Sequence, residues 1–281
     1  MWFGTRAYMQ EVPDPQIDPD YETAGWGDET ITLGGGLVVS SSVNKHKRYF
    51  FSWTGLTRAE VRQITDVLQG VYGNGAVQMV DPLAADTNML PQSWATPSIG
   101  CYDGVPFAGD IRPTASANSV LTHGYPAELA TYTITDTDTL RSVFVPIPPG
   151  FSAWVGVHGN VDAQDFVKVT PYTGSVAGTV VHPTILSTAT TTRVNTEIGD
   201  GATGLELSLD NTTGGTFTLA GMIVQLLPTG TTPETGGFIS GQGHSGLRFV
   251  GGSLSVVPYV VAPGLESLSV SAKLGEVGEW V

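Results

Sequence analysis

From about residue 130 to residue 228 the chain is built of short runs in which apolar and polar residues alternate, separated by turn-forming Gly, Pro, Asn, Asp, Ser and Thr. The runs are ATYTIT, SVFVPI, FSAWVGVHG, FVKVTPY, GTVVHPTIL, TRVNTEI, GLELSLD and TFTLAGMIVQLL. A period of two sends successive side chains to opposite faces, so each run predicts a strand with one face on a core. GLELSLD is the plainest case: Leu205, Leu207 and Leu209 share one face, and Glu206, Ser208 and Asp210 the other. Eight such runs in close succession predict a two-sheet jelly roll.

Helical periodicity occurs in one stretch. Val61, Ile64, Val67 and Leu68 fall on one face at helical spacing, and Arg58, Arg62, Gln63 and Asp66 on the other. Thr57 with Glu60 matches a capping box, Leu56 and Val61 occupy the staple positions around it, and Gly70 is a stop signal. This predicts one amphipathic helix of about 13 residues laid on a sheet. The strand candidates around it are ETITLGG (29–35), GLVVSSS (36–42), RYFFSW (48–53) and GAVQMVD (75–81).

Two segments, PQSWATPSIG (91–100) and LPTGTTPETGG (227–237), are rich in Pro, Gly, Ser and Thr without apolar periodicity and read as linkers. Beyond them, residues 238–281 contain the strand-like LRFVGG, LSVVPYVV and SLSVSAKLGEV, a piece too small to fold alone. Its simplest role is to return and complete the sheet of the first piece. The expected organisation is therefore a mainly β platform with one helix from 1–98 plus 238–281, and a jelly-roll domain, 100–235, inserted into one of its loops.

Composition narrows the function classes. Charged residues are 14% of the 281, against about 25% in an average globular chain, while hydrophobic residues are 41%. Disorder and helical bundles are both disfavoured, and Thr takes the surface role usually filled by Lys and Glu. A net charge of −14 excludes a nonspecific grip on nucleic acid, which needs clustered cations, although acidic walls suit a channel through which DNA passes. The one basic cluster, Lys45, His46, Lys47 and Arg48, runs straight into YFFSW and reads as a hairpin end. Cys101 is alone and forms no internal disulfide. The N-terminus lacks the apolar core of a signal peptide, and no run is long enough to insert in a membrane.

Candidate chemistry is sparse. Gly241-Gln242-Gly243-His244-Ser245-Gly246 matches the dinucleotide fingerprint by spacing, but a strand-like segment follows where a helix is required, so a glycine-rich turn is expected. Asp136 with Asp138 and Asp162 with Asp165 lie in loops, where they read as solvated acids, with a Ca²⁺ ligand set or a glycosidase pair as alternatives. The histidines at 46, 123, 158, 182 and 244 lack metal-ligand spacing. The Asn211-Thr212-Thr213 sequon has no force without a secretory signal. Phe151, Trp154 and Tyr172 are the candidate carbohydrate contacts, because an aromatic face can stack on a sugar ring; core filling is the competing role, and the favoured one for Trp154. No cofactor, metal or catalytic residue is expected, and a glycosidase is the weakest of the functional alternatives.

WFGTRAYMQEVPDP at the start, RYFFSWTGLTRAEVRQITDVLQGVYGNGAVQMVDPLAADTNMLPQSWATPS in the body, and SGQGHSGLRFVGG with LESLSVSAKLGEVGEW at the end resemble the minor tail proteins of long-tailed (siphovirus) actinobacteriophages, specifically the distal tail protein class. The resemblance covers roughly 1–98 and 238–281 and rests on the order FSW, capped helix, YG-x-G, DP, N-x-LP-x-xWA. It implies a tail-tube-like β-sandwich or barrel platform, and in its general pattern the middle piece resembles inserted jelly-roll sandwiches of the galectin or carbohydrate-binding-module type. It implies a non-enzymatic virion protein of the tail tip, made in the host cytoplasm. It also implies a homo-oligomeric ring, a homohexamer in typical members, that joins the tail tube to the tip or baseplate and lets DNA pass. The implied partners are copies of itself, the major tail or tube protein, the tape measure protein and other tip proteins. A host cell-wall glycan would be a further partner of the outward-facing second domain.

Overall fold

Strand-forming alternation and few helix formers give a mainly β molecule. A computed structural model describes residues 1–17, 22–24, 27–31, 37–41, 46–73, 75–81, 84–96, 114–117, 128–134, 142–159, 166–186, 195–198, 201–209, 215–234, 238–244, 246–249, 254–262 and 265–276. In chain order the first elements are β1 (Trp2–Thr5), β2 (Tyr8–Glu11), β3 (Gln16–Ile17), β4 (Glu22–Ala24), β5 (Gly27–Ile31), β6 (Leu37–Ser41), β7 (His46–Leu56), α1 (Arg58–Leu68), β8 (Val77–Met79) and α2 (Gln92–Ala95). Then follow β9 (Thr114–Ala117), β10 (Glu128–Ile134), β11 (Ser142–Pro146), β12 (Phe151–Gly159), β13 (Val167–Thr173), β14 (Val176–Ala177), β15 (Ile185–Leu186), β16 (Asn195–Ile198), β17 (Gly204–Leu209) and β18 (Gly215–Pro228). The chain ends in β19 (Leu247–Phe249), β20 (Ser255–Ala262) and β21 (Leu265–Glu276).

The first and last strands share one nine-stranded sheet in the order β2-β1-β8-β19-β21-β7-β3, with β20 also on β21 and β4 also on β7. β7 and β21 run antiparallel with their inward residues opposite one another: Trp53 faces Val270, Phe51 faces Ala272 and Tyr49 faces Leu274, all six buried. Ile64, Val67 and Leu68 of α1 close over this face, where Phe3 meets Trp53 edge-on at 6.5 Å. Val77, Gln78 and Met79 are all buried although the sequence alternates there, because β8 is an interior strand between β1 and β19.

Both ends of α1 carry the expected local devices. Thr57 Oγ1 accepts from the Glu60 N–H at 3.3 Å, and the Thr57 N–H donates to Glu60 Oε2 at 2.7 Å. The Thr57 N–H, and then the Thr57 hydroxyl, which also donates to Oε2 at 2.7 Å, hold the Glu60 carboxyl below its ordinary range. At the other end Gly70 takes φ +74°, its N–H bonds Val67 O and the Val71 N–H bonds Asp66 O, a Schellman turn. Thr57→Ala removes one cap acceptor, and chemical denaturation should show a loss of about 1 kcal/mol.

The eight sandwich runs each contribute a strand, and β9 and β14 add two more. They form a six-stranded sheet, β15-β12-β18-β10-β9 with β16 also on β12, and a four-stranded sheet, β11-β17-β13-β14. Leu205, Leu207 and Leu209 point into the core between them, beside Val143, Val145, Val167 and Val169 from the neighbouring strands. GTVVHPTIL is only partly a strand. Val181 makes an isolated bridge to Val169, and regular pairing resumes at Ile185, after Pro183 has removed a donor from the run.

The described part of the expected linker 91–100 is not a linker. Residues 92–95 form α2, and Trp94 and Ala95 are fully buried against β18. Ahead of α2, residues 85–89 continue the edge of β18 as backbone partners: the Met89 N–H donates to Val224 O and the Leu226 N–H to Ala85 O, each at 2.7 Å. The segment 238–244 lies on the same stretch, with the Gln242 N–H on Asn88 O and the Gly243 N–H on Leu90 O. Apolar periodicity is weak here because these residues bury themselves through backbone pairing and one indole. This also explains the glycine-rich motif. A Cβ at Gly243 would overlap the Met89 carbonyl, and one at Gly241 would come within 2.8 Å of the Gln92 nitrogen, so GQGHSG permits two backbones to approach closely.

Candidate functional site

The three aromatic residues singled out from the sequence do not converge. Phe151 and Trp154 stand on β12 in the six-stranded sheet, and Tyr172 on β13 in the four-stranded one. Along β12, Ala153, Val155 and Val157 enter the inter-sheet core, so Trp154 points away from it; it is half-buried and is not core filling. Its cross-strand neighbours are Glu197 on β16, exposed, and Gln225 on β18, buried. Ser152, two positions back on the same face, is 1% exposed. Neither Ser152 Oγ nor Trp154 Nε1 has a hydrogen-bond partner among the described residues, whereas the Gln225 amide donates to Asp86 O at 2.7 Å. Phe151, at the strand's start, is exposed.

Tyr172 belongs to a denser cluster. Ser142 and Phe144 on β11, Glu206 on β17 and Tyr172 on β13 all alternate outward, onto the outer face of the four-stranded sheet. Phe144 lies directly opposite Glu206, and its ring covers Gly204, where a Cβ would overlap it. Phe144 and Tyr172 meet edge to face at 6.2 Å. Glu206 Oε2 accepts from the Tyr172 hydroxyl at 2.9 Å, and Oε1 accepts from Ser142 Oγ. Into this arrangement comes Arg6, from the β1–β2 turn of the nine-stranded sheet. Its Nη1 and Nη2 donate to the two oxygens of Glu206, and its guanidinium carbon lies 4.3 Å from the centre of the Tyr172 ring and 5.6 Å from that of Phe144.

The electrostatics follow from these contacts. Burial pushes the Glu206 carboxyl up, but the donors Ser142, Arg6 and Tyr172 and the Arg6 charge outweigh it and hold the group below the ordinary value of 4.5. Burial, and then the bond to Glu206, push the Tyr172 phenol above 10.0. A carboxylate whose folded pKa is depressed contributes stability that is fully present above its unfolded value and lost as the pH falls through the folded one. Urea titrations should therefore show wild type losing more stability than Glu206→Gln on acidification below pH 4.5. Parallel curves for the two proteins would contradict the assignment.

Ser142, Phe144, Glu206 and Arg6 are not distinguishable as a cluster in the sequence. Alternation in SVFVP and GLELSL already placed the first three on an outward face, but an outward residue on a strand reads as solvated unless its neighbours are known. Of the remaining candidates, Asp136, Asp138, Asp162, Asp165, Cys101, His123, Lys45 and the sequon lie outside the described residues. His182 is exposed with Nδ1 3.0 Å from Val167 O, while His158 and His244 are buried. Among the described residues no three His, Cys, Asp or Glu side chains come together as a metal site, and no helix is long and apolar enough to cross a membrane.

No protein-family model matches the chain, and no curated protein matches it. Among solved structures it is similar to the CBM22-1–GH10 modules of the N-terminal endo-1,4-β-D-xylanase 10B of Clostridium thermocellum, solved with xylohexaose, at 11% identity and a TM-score of 0.29. The match covers 53% of this chain and 30% of that one, so the chain spans under a third of the length of the structure it matches.

Proposed function

We propose that the protein is a structural component of a phage tail tip, a distal-tail-type adaptor. In this reading a platform made of 1–98 and 238–281 assembles into a homo-oligomeric ring, as a hexamer, between tail tube and tip. The inserted sandwich, 100–235, faces outward. The platform contacts the major tail or tube protein, the tape measure protein and other baseplate proteins, and DNA passes through the ring without specific binding. The role is mechanical rather than enzymatic, its place is the virion, and no cofactor takes part.

One observation supports the reading above the others: the residues that carry the resemblance are packing residues. Phe51 and Trp53 of FSW, Asn88 and Trp94 of the N-x-LP-x-xWA pattern, and the α1 cap are buried or backbone-bonded architecture. Residues of this kind specify shape, which is what an assembly subunit needs. Native mass spectrometry of the purified chain, with antibody labelling of virions, tests it. Ring-sized oligomers and label at the tail tip are expected; a strictly monomeric protein missing from virions would overturn the reading.

A second role, compatible with the first, is adhesion to a host-surface carbohydrate through the Trp154 face. It is favoured by a half-buried indole opposite exposed Glu197, with unpartnered buried donors at Ser152 and Trp154. A glycan array probed with the full chain should give hits that Trp154→Ala removes, and a blank array would end this reading.

A further inference from the structure

The cluster around Glu206 has the form of a ligand site whose ligand belongs to the same chain. Each carboxylate oxygen accepts one bond from the sandwich itself, Oε1 from Ser142 and Oε2 from Tyr172, and one from a guanidinium nitrogen of Arg6. The sandwich's own two bonds hold the carboxylate in place independently of Arg6. The rings are held likewise, Phe144 against Gly204 and Tyr172 against Phe144 and Glu206. What Arg6 meets is therefore preorganised: a fork of acceptors with a ring face beside it, matched to a planar guanidinium rather than to the point charge of an ammonium.

Arg6 itself is held much less firmly. Its side chain is 43% exposed, against 17% for Glu206, and it extends from a two-residue turn next to β2, the edge strand of its sheet. An ion pair with one exposed partner contributes little net stability, so Arg6 can leave at small cost while the cradle stays intact. The net charge of −14 favours replacement by another cation. We propose that the outer face of the four-stranded sheet is an arginine-recognition site, filled in cis by Arg6 and open to exchange with a guanidinium group offered in trans, such as an arginine side chain of a partner protein.

The test uses the full chain. Ligand-observed NMR and calorimetry on Arg6→Ala should detect saturable binding of L-arginine amide with a midpoint on the order of millimolar, the range open to a ligand of this size. Wild type should bind more weakly, by up to about fivefold, because Arg6 competes at small cost. Lysine amide should bind Arg6→Ala at least tenfold more weakly than arginine amide, and citrulline amide, which keeps the α-amino group but has an uncharged side chain, not at all. Glu206→Gln in the Arg6→Ala background should abolish the signal, and Tyr172→Phe, which keeps the ring and loses the hydroxyl bond, should weaken it. Near-UV circular dichroism matching wild type establishes that each variant is folded. Absence of binding to folded Arg6→Ala, equal binding of lysine and arginine amides, or binding that survives Glu206→Gln would each overturn the proposal.

Discussion

Asn88→Asp should be among the most damaging single-atom-class changes in the molecule, with Asn88→Ala costing about 4 kcal/mol in chemical denaturation. Asn88 is wholly buried and ties three segments together. Its Nδ2 donates to Met222 O at 3.0 Å and to Ile239 O at 2.9 Å, and its Oδ1 accepts from the Leu90 N–H at 3.2 Å and the Val224 N–H at 3.1 Å. Truncation leaves two buried backbone donors and two carbonyls without this partner, at roughly 1–3 kcal/mol for each group that relaxation does not satisfy. Aspartate keeps the shape but turns a donor into an acceptor facing two carbonyl oxygens. Its carboxyl must stay protonated or place a negative charge against them, so Asn88→Asp should lose more stability at pH 7 than at pH 4, the reverse of the Glu206 dependence. A loss under about 1 kcal/mol for both variants would show that the junction does not depend on this amide.

Trp53→Ala should cost about 3–5 kcal/mol, measured by far-ultraviolet circular dichroism so that loss of the indole does not remove the probe. The side chain is 1% exposed, packs beside Phe51 at 5.5 Å and Phe3 at 6.5 Å, and donates from Nε1 to Pro13 O at 2.9 Å. Truncation opens a cavity between α1 and the nine-stranded sheet and strips the Pro13 carbonyl of its donor. Trp53→Phe restores most of the volume and not the hydrogen bond, so it should recover the larger part of the loss. If alanine and phenylalanine were equally mild, the aromatic stripe of β7 would not be the centre of this core.

The parts of the fold legible in the sequence are those whose causes lie within a few residues. Thr57 and Glu60 are three positions apart, Gly70 follows the last turn, and Leu205, Leu207 and Leu209 record a buried face by period alone. The missed features are joined across long stretches of chain. Asn88 meets carbonyls 134 and 151 residues away, and Arg6 meets Glu206 across 200. Nothing near Asn88 distinguishes it from a loop asparagine, and PQSWAT carries the Pro, Ser and Thr of a linker while Trp94 is buried in it. The Tyr172 ring stands out in the sequence, but its partners do not, because they come from two other strands and another sheet.

A mainly β chain with one capped amphipathic helix, and the inward face of most of its strands, follow from local residue patterns alone. Those features depend on periodicity and on local hydrogen bonds that each segment carries with it. Which strands pair, that residues 85–89 extend the edge of β18, and that Arg6 enters the Glu206 cluster emerge only in the folded molecule. The physical reason is that apolar burial is non-directional, so alternation says that a face is covered without saying by what. The choice of partner is made by directional groups, backbone edges, one amide and one guanidinium, whose donors and acceptors are matched only when distant segments arrive in one register.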